Sequence, residues 1–114
     1  MTYANVYEDI IVPCASAVGG TSAYYQWPVG SAPNPPYVLY YYPGSDDLYA
    51  DGRNYAKFTP VNIELYTDHK DFAAEAALEA ALTGAGLSYQ KTETPLDEEN
   101  MFLVLYETEV LING

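Results

Sequence analysis

His69 is the only histidine and Cys14 the only cysteine of this 114-residue chain, so the residues that most often carry nucleophilic or proton-transfer chemistry each stand alone. A Cys-His or Ser-His-Asp arrangement has no support, because Cys14 falls in an apolar helical pattern and no G-x-S-x-G run surrounds a serine. Cys14 reads as a core thiol. A lone cysteine leaves no internal disulfide, no CxxC and no thiolate metal site, as in a chain made in a reducing cytoplasm. His69 sits beside a helix start with no second His or Cys nearby, and reads as a solvated polar residue.

The acids are no more specific. Asp46, Asp47, Asp51 and Gly52 are superficially like a calcium loop, but setting Asp47 and Asp51 at the first and fifth ligand positions puts Tyr49 at the third and Phe58 at the twelfth. That match fails. Asp97, Glu98 and Glu99 are consecutive, so they splay around a turn instead of converging on an ion. A paired-carboxylate acid/base site stays open, but nothing selects one pair among sixteen acids. Gly19-Gly20 and Gly84-x-Gly86 lack the strand-loop-helix context and the lysine of a phosphate cradle. The expectation is a protein that is not an enzyme, with no catalytic, cofactor or metal residues.

Sixteen acids against four bases give a formal charge of -12, which disfavours binding to a phosphate backbone or an anionic membrane. Two readings remain: a solubility charge, or a surface that faces a polyanion without sticking to it. Thirteen tyrosines, with three Phe and one Trp, put hydroxyls on much of the apolar area, which suits half-exposed sheet faces and interfaces. Tyr24, Tyr25, Trp27, Tyr40, Tyr41 and Tyr42 are the foremost such positions, with packing inside the sheet as the competing reading. Glu8 and Asp9 replace the bases of a signal peptide, and no run approaches the ~20 apolar residues of a membrane span. The expectation is one soluble domain, intracellular at synthesis.

The elements that must position these residues follow from periodicity. Tyr3, Tyr7, Ile10 and Cys14 recur at helical spacing, with Val6 and Ile11 flanking the stripe and Pro13 where it should bend or stop, giving a helix that ends by about Ala17. Residues 22–27 read as a short strand, 30–36 as an extended proline-rich loop and 37–42 as a strand inside a sheet. Residues 46–54 read as a polar connection. Residues 61–67 alternate cleanly, with Val61, Ile63 and Leu65 on one face and Asn62, Glu64 and Tyr66 on the other. Asp68 and Asp71 mark a helix start. That helix carries Ala74, Leu78, Ala81, Leu82 and Ala85 toward the sheet and a smooth outer stripe of Ala73, Ala76, Ala77 and Ala80, before Gly84 and Gly86 stop it. The outer stripe is either solvent-facing helix former or a site of close approach. Residues 87–92 read as a short strand, 94–100 as an acidic turn and 101–111 as the longest strand, central and covered on both faces over its first half. No repeat or linker divides the chain. The predicted fold is α+β: a mainly antiparallel sheet of about five strands with two helices packed on one face.

Four blocks then carry a family resemblance. They are Ala23-Tyr24-Tyr25-Gln26-Trp27-Pro28 followed by Pro35-Pro36-Tyr37-Val38; Tyr49-Ala50-Asp51-Gly52-Arg53-Asn54-Tyr55; Val61-Asn62-Ile63-Glu64-Leu65-Tyr66-Thr67 before a capped helix; and Tyr89-Gln90-Lys91-Thr92-Glu93-Thr94 leading to residues 101–107. In that order the chain resembles the tail terminator or tail completion proteins of long-tailed bacteriophages and prophages of Gram-positive hosts. The resemblance implies a homo-oligomeric, sixfold ring, located in the virion at the head-tail junction and assembled in the host cytoplasm. Such a ring caps the head-proximal end of the tail tube, ends polymerisation and joins tail to head. Its partners would be the tail tube protein and head connector proteins, with DNA passing through without specific binding, and no membrane or cofactor. Its helix here is richer in Ala and poorer in Lys than the resemblance leads one to expect. Alternatives are a head connector adaptor or stopper, and a nonviral acidic protein-binding module. A ring needs heterologous contacts. The expected contact residues are Tyr49, Arg53, Tyr55 and Phe58 from the loop over residues 44–58, a sheet edge, and the stripe Ala73, Ala76, Ala77 and Ala80.

Overall fold

The computed structural model describes residues 1–44, 46–50 and 53–112, with side chains over 1–44 and 58–112. The N-terminal helix opens on a reciprocal cap: Thr2 Oγ1 accepts from the Asn5 backbone N–H at 3.1 Å, and Asn5 Oδ1 accepts from the Thr2 N–H at 2.9 Å. It runs as α1 (Tyr3–Val6), a π-helical turn (Tyr7–Ile11) and α2 (Val12–Ala17). Pro13 lies in the first turn of α2, after the π turn has loosened the hydrogen-bond ladder. The buried stripe is Val6, Ile10, Ile11, Cys14 and Ala15, whereas Tyr3 and Tyr7 are each 45% exposed. The expected stripe through Tyr3 and Tyr7 is thereby corrected. A wider turn keeps residues four apart in register, and tyrosine hydroxyls favour the wet side.

Gly19, at φ +71, ends this helix, and Gly20 then passes so close to Pro36 that an added Cβ would lie 2.3 Å from the Pro36 carbonyl oxygen. The chain enters β1 (Thr21–Tyr24), parallel to β2 (Tyr37–Tyr41) across the loop 25–36. β3 (Asp46–Ala50) and β4 (Arg53–Thr67) follow, so of the polar connection expected at 46–54 the described residues, 46–50 and 53–54, are instead strand. Polar residues there obeyed cross-strand pairing, which composition does not report. Pro60 stays inside β4 because β3 pairs only through Phe58 and β2 only from Asn62, so its missing donor costs least at that gap.

Asp71 caps α3 (Phe72–Gly84), its carboxylate accepting from the Ala74 N–H at 2.9 Å. Gly86, at φ +79, closes it, with Gly86 N–H donating to the Thr83 carbonyl at 2.9 Å and Leu87 N–H to the Leu82 carbonyl at 3.0 Å. β5 (Gln90–Leu96) begins and ends later than expected, the acidic turn shrinks to Asp97–Glu99, and β6 (Met101–Ile112) completes the chain. With 15 residues β4 exceeds the 12 of β6, correcting the expected longest strand.

The sheet order is β1-β2-β4-β6-β5, with β3 alongside the first half of β4 and every pairing but β1-β2 antiparallel. Both helices lie on one face. Val6, Ile10, Ile11 and Cys14 of the first, and Ala74, Leu78 and Leu82 of α3, share a core with Val38, Val61, Ile63, Leu65, Val104, Tyr106, Val110 and Ile112. The fold is α+β, and β6 is central, paired with β4 and β5.

Candidate interaction surface

An ionic network that sequence reading missed ties α3 to β5. Glu75, only 3% exposed, has Lys70 Nζ 2.7 Å from Oε2 and Lys91 Nζ 2.7 Å from Oε1. Oε1 lacks a well-aligned hydrogen bond, so charge holds its contact with Lys91. Lys70 also reaches Glu93, and Lys91 reaches Glu79 at 2.7 Å. Glu79 in turn accepts from the Tyr106 hydroxyl at 2.7 Å and the Tyr89 hydroxyl at 3.3 Å. Burial alone would raise the Glu75 and Glu79 carboxyls. The lysine ammoniums, joined at Glu79 by Tyr106, outweigh it and hold both below the usual carboxylate range. The close Glu75 and Glu79 carboxylates push Lys91 up to about 12. The available signal was Glu75 and Glu79 one helical turn apart, with Lys91 and Glu93 two apart on a strand.

Each lysine whose side chain is described is thus held by two carboxylates, and both remaining bases, Arg53 and Lys57, lie on β4. The outer side of α3 carries no charge of its own stripe: Ala73, Ala76 and Ala80 are exposed and Ala77 is half-buried. Ala85, expected on the sheet side, is exposed, because Ala74, Leu78 and Leu82 already fill that side.

A second surface is aromatic. Tyr3 meets Tyr42 edge-on at 5.0 Å between ring centres, Tyr24 meets Tyr40 at 5.1 Å, and Tyr7 lies 6.4 Å from Tyr40. Tyr24 is 51% exposed and Tyr25 60%, so ring-ring packing fixes these tyrosines while leaving ring area for a partner. Burial pushes the Tyr42 phenol up to about 12, with neighbouring tyrosines adding to it.

The sheet face away from the helices has no helix over it among the described residues. Trp27 covers its β2 end, edge-on to Tyr37 at 5.5 Å, and Tyr37 stacks on Tyr66 at 4.9 Å. Toward β6 it is half-buried Leu103 and Leu105 around Glu64, which accepts from the Tyr66 hydroxyl at 3.0 Å. Both faces of the first half of β6 were expected to be covered; this one is only half so. Burial raises the Glu64 carboxyl despite that bond.

Of the expected contact residues, Phe58 is half-buried in β4. The side chains of Tyr49, Arg53 and Tyr55 lie outside the described ones, as do Asp51 and Gly52 of the calcium-like run. Among the described side chains, Phe58 of β4 and the outer stripe of α3 lie on separate elements. Cys14 is fully buried, its thiol pushed up to about 12 by burial. The His69 side chain is exposed, beside Asp68 and Asp71, and its imidazole is raised first by the Asp68 hydrogen bond. Among the described residues no three His, Cys, Asp or Glu side chains converge as metal ligands, and no helix is long and apolar enough to cross a membrane.

No family model and no curated protein matches the sequence. Among solved structures the chain is similar to a chain of the virion of a native gene transfer agent (GTA) particle, with TM-score 0.63 and 20% identity over 96% of this chain and 92% of that one. At that identity the likeness shows a shared fold.

Proposed function

We propose that this chain is a structural subunit of a phage-like virion, and within it the ring that caps the head-proximal end of the tail tube, ends its polymerisation and joins tail to head. The observation that carries the reading is the near end-to-end fold likeness to a virion chain, which agrees with the block resemblance read from the sequence. The surface chemistry supports it. The described lysines are spent inside the subunit, so an acidic exterior would let DNA pass without being held. The alanine stripe of α3 and the tyrosine cluster are the further contact surfaces, and no catalytic role, cofactor or metal belongs to this reading.

A stop codon in the gene, followed by electron microscopy of the particles, tests it. Tails of abnormal length that fail to join heads are expected. Normal-length tails joined to heads would refute it, and normal-length tails left headless would move the assignment to a connector adaptor or stopper.

A further inference from the structure

We propose that the β3-β4 ribbon is an arm by which one copy of this chain grips the body of a second copy. The inference rests on the ring reading above and goes beyond it by naming the contact.

Geometry comes first. β4 has 15 residues, which at ~3.3 Å each span about 50 Å, and the molecule measures 51 × 30 × 22 Å. Its radius of gyration is 15.0 Å, against about 13 Å for a compact domain of this length. The strand that makes the molecule long is also the one that outruns its neighbours. β6 pairs with β4 only from Lys57, opposite Ile112, so among the described residues Arg53–Ala56 pair with β3 alone. A two-stranded ribbon is marginally stable in water by itself, and this one includes Leu48, Tyr49 and Tyr55. Docking against a protein surface would supply what a third strand supplies elsewhere in the sheet.

Charge selects the occupant. Residues 46–57 hold Asp46, Asp47 and Asp51 against Arg53 and Lys57, a net of -1, so -11 of the formal charge of -12 lies on the rest of the chain. Two such bodies repel each other. Lys70 and Lys91 are each committed to two carboxylates of their own subunit. The remaining bases both belong to β4, Arg53 on the stretch that outruns β6 and Lys57 at its root opposite Ile112, so the ribbon would carry them to the acidic body of another copy. Such a contact is heterologous, arm to body, and can close a ring.

The test uses the purified full-length chain. Sedimentation velocity over rising concentration should show self-association that weakens between about 0.05 and 0.5 M salt, as screening shortens the reach of charge. The double substitution R53E/K57E should weaken association at least about tenfold. In a mixture of isotopically light and heavy wild-type copies, carbodiimide coupling should join Lys57 to carboxylates of the other copy, a readout independent of how the variant folds. A chain monomeric up to about 1 mM, self-association undiminished in R53E/K57E, or Lys57 coupled only within its own copy would each overturn the arm. The ring reading would then still be judged by the tail phenotype.

Discussion

Replacing Glu75 by Gln keeps the shape at the α3-β5 seam and removes the charge shared by Lys70 and Lys91. A fully buried charge left without its partner costs about 3–5 kcal/mol. Here each lysine keeps a second carboxylate, Glu93 or Glu79, and the lysine side chains are 29% and 37% exposed, so water recovers part of the loss. An exposed pair contributes only about 0–1 kcal/mol, which places Glu75→Gln near 2 kcal/mol, roughly 6–10 °C in Tm for a domain of this size. Thermal and urea unfolding followed by circular dichroism measure it. The pH dependence supplies a second check with a definite sign. Glu75 and Glu79 are held low in the folded state, so their contribution is present above the ordinary carboxylate pKa and lost as pH falls through the lowered folded values. The wild type should therefore lose stability toward acid more steeply than Glu75→Gln. Lys91 runs the other way: its contribution is present below the ordinary lysine value and is lost as pH rises through about 12. A loss under about 0.5 kcal/mol at neutral pH, or parallel acid limbs for the two proteins, would refute the argument that this network pins α3 to the sheet.

Three further outcomes follow from the same structure. Gly20→Ala should cost more than about 2 kcal/mol in urea unfolding, since its Cβ would meet the rigid Pro36 carbonyl oxygen at 2.3 Å; a change under 0.5 would mean that the β1 entry readily gives way. Cys14, buried with its thiol pushed up to about 12, should resist Ellman's reagent in the native protein at pH 8 and react fully in denaturant; fast native labelling would contradict a closed core. Glu64→Gln should leave Tm at pH 7 equal or higher, because burial disfavours the ionised carboxyl whereas an amide still accepts from the Tyr66 hydroxyl. Since the folded value is raised, the wild type should gain on the variant as pH falls through it, and a lower variant Tm at pH 7 would show that the charge is used.

Local chemistry made much of the fold legible. Asp71, Gly86 and the alternation of Val61, Ile63 and Leu65 satisfy nearest-neighbour requirements of caps and pleats, and each lies where such rules place it. The strand character of residues 46–50 and 53–60 was not legible, because long-range pairing with β6 and across the hairpin overrides a turn-like composition. Nor was the true stripe of the N-terminal helix, which the π turn rotates away from Tyr3 and Tyr7. For function, the sequence by itself determined the acidic balance, the abundance of tyrosine and the isolation of His69 and Cys14. Only the tertiary structure decided which charges are spent inside the subunit. The distance from Glu75 to Lys91 is set by how α3 lies on β5, and a contact of 2.7 Å between residues sixteen apart in sequence has no local signature.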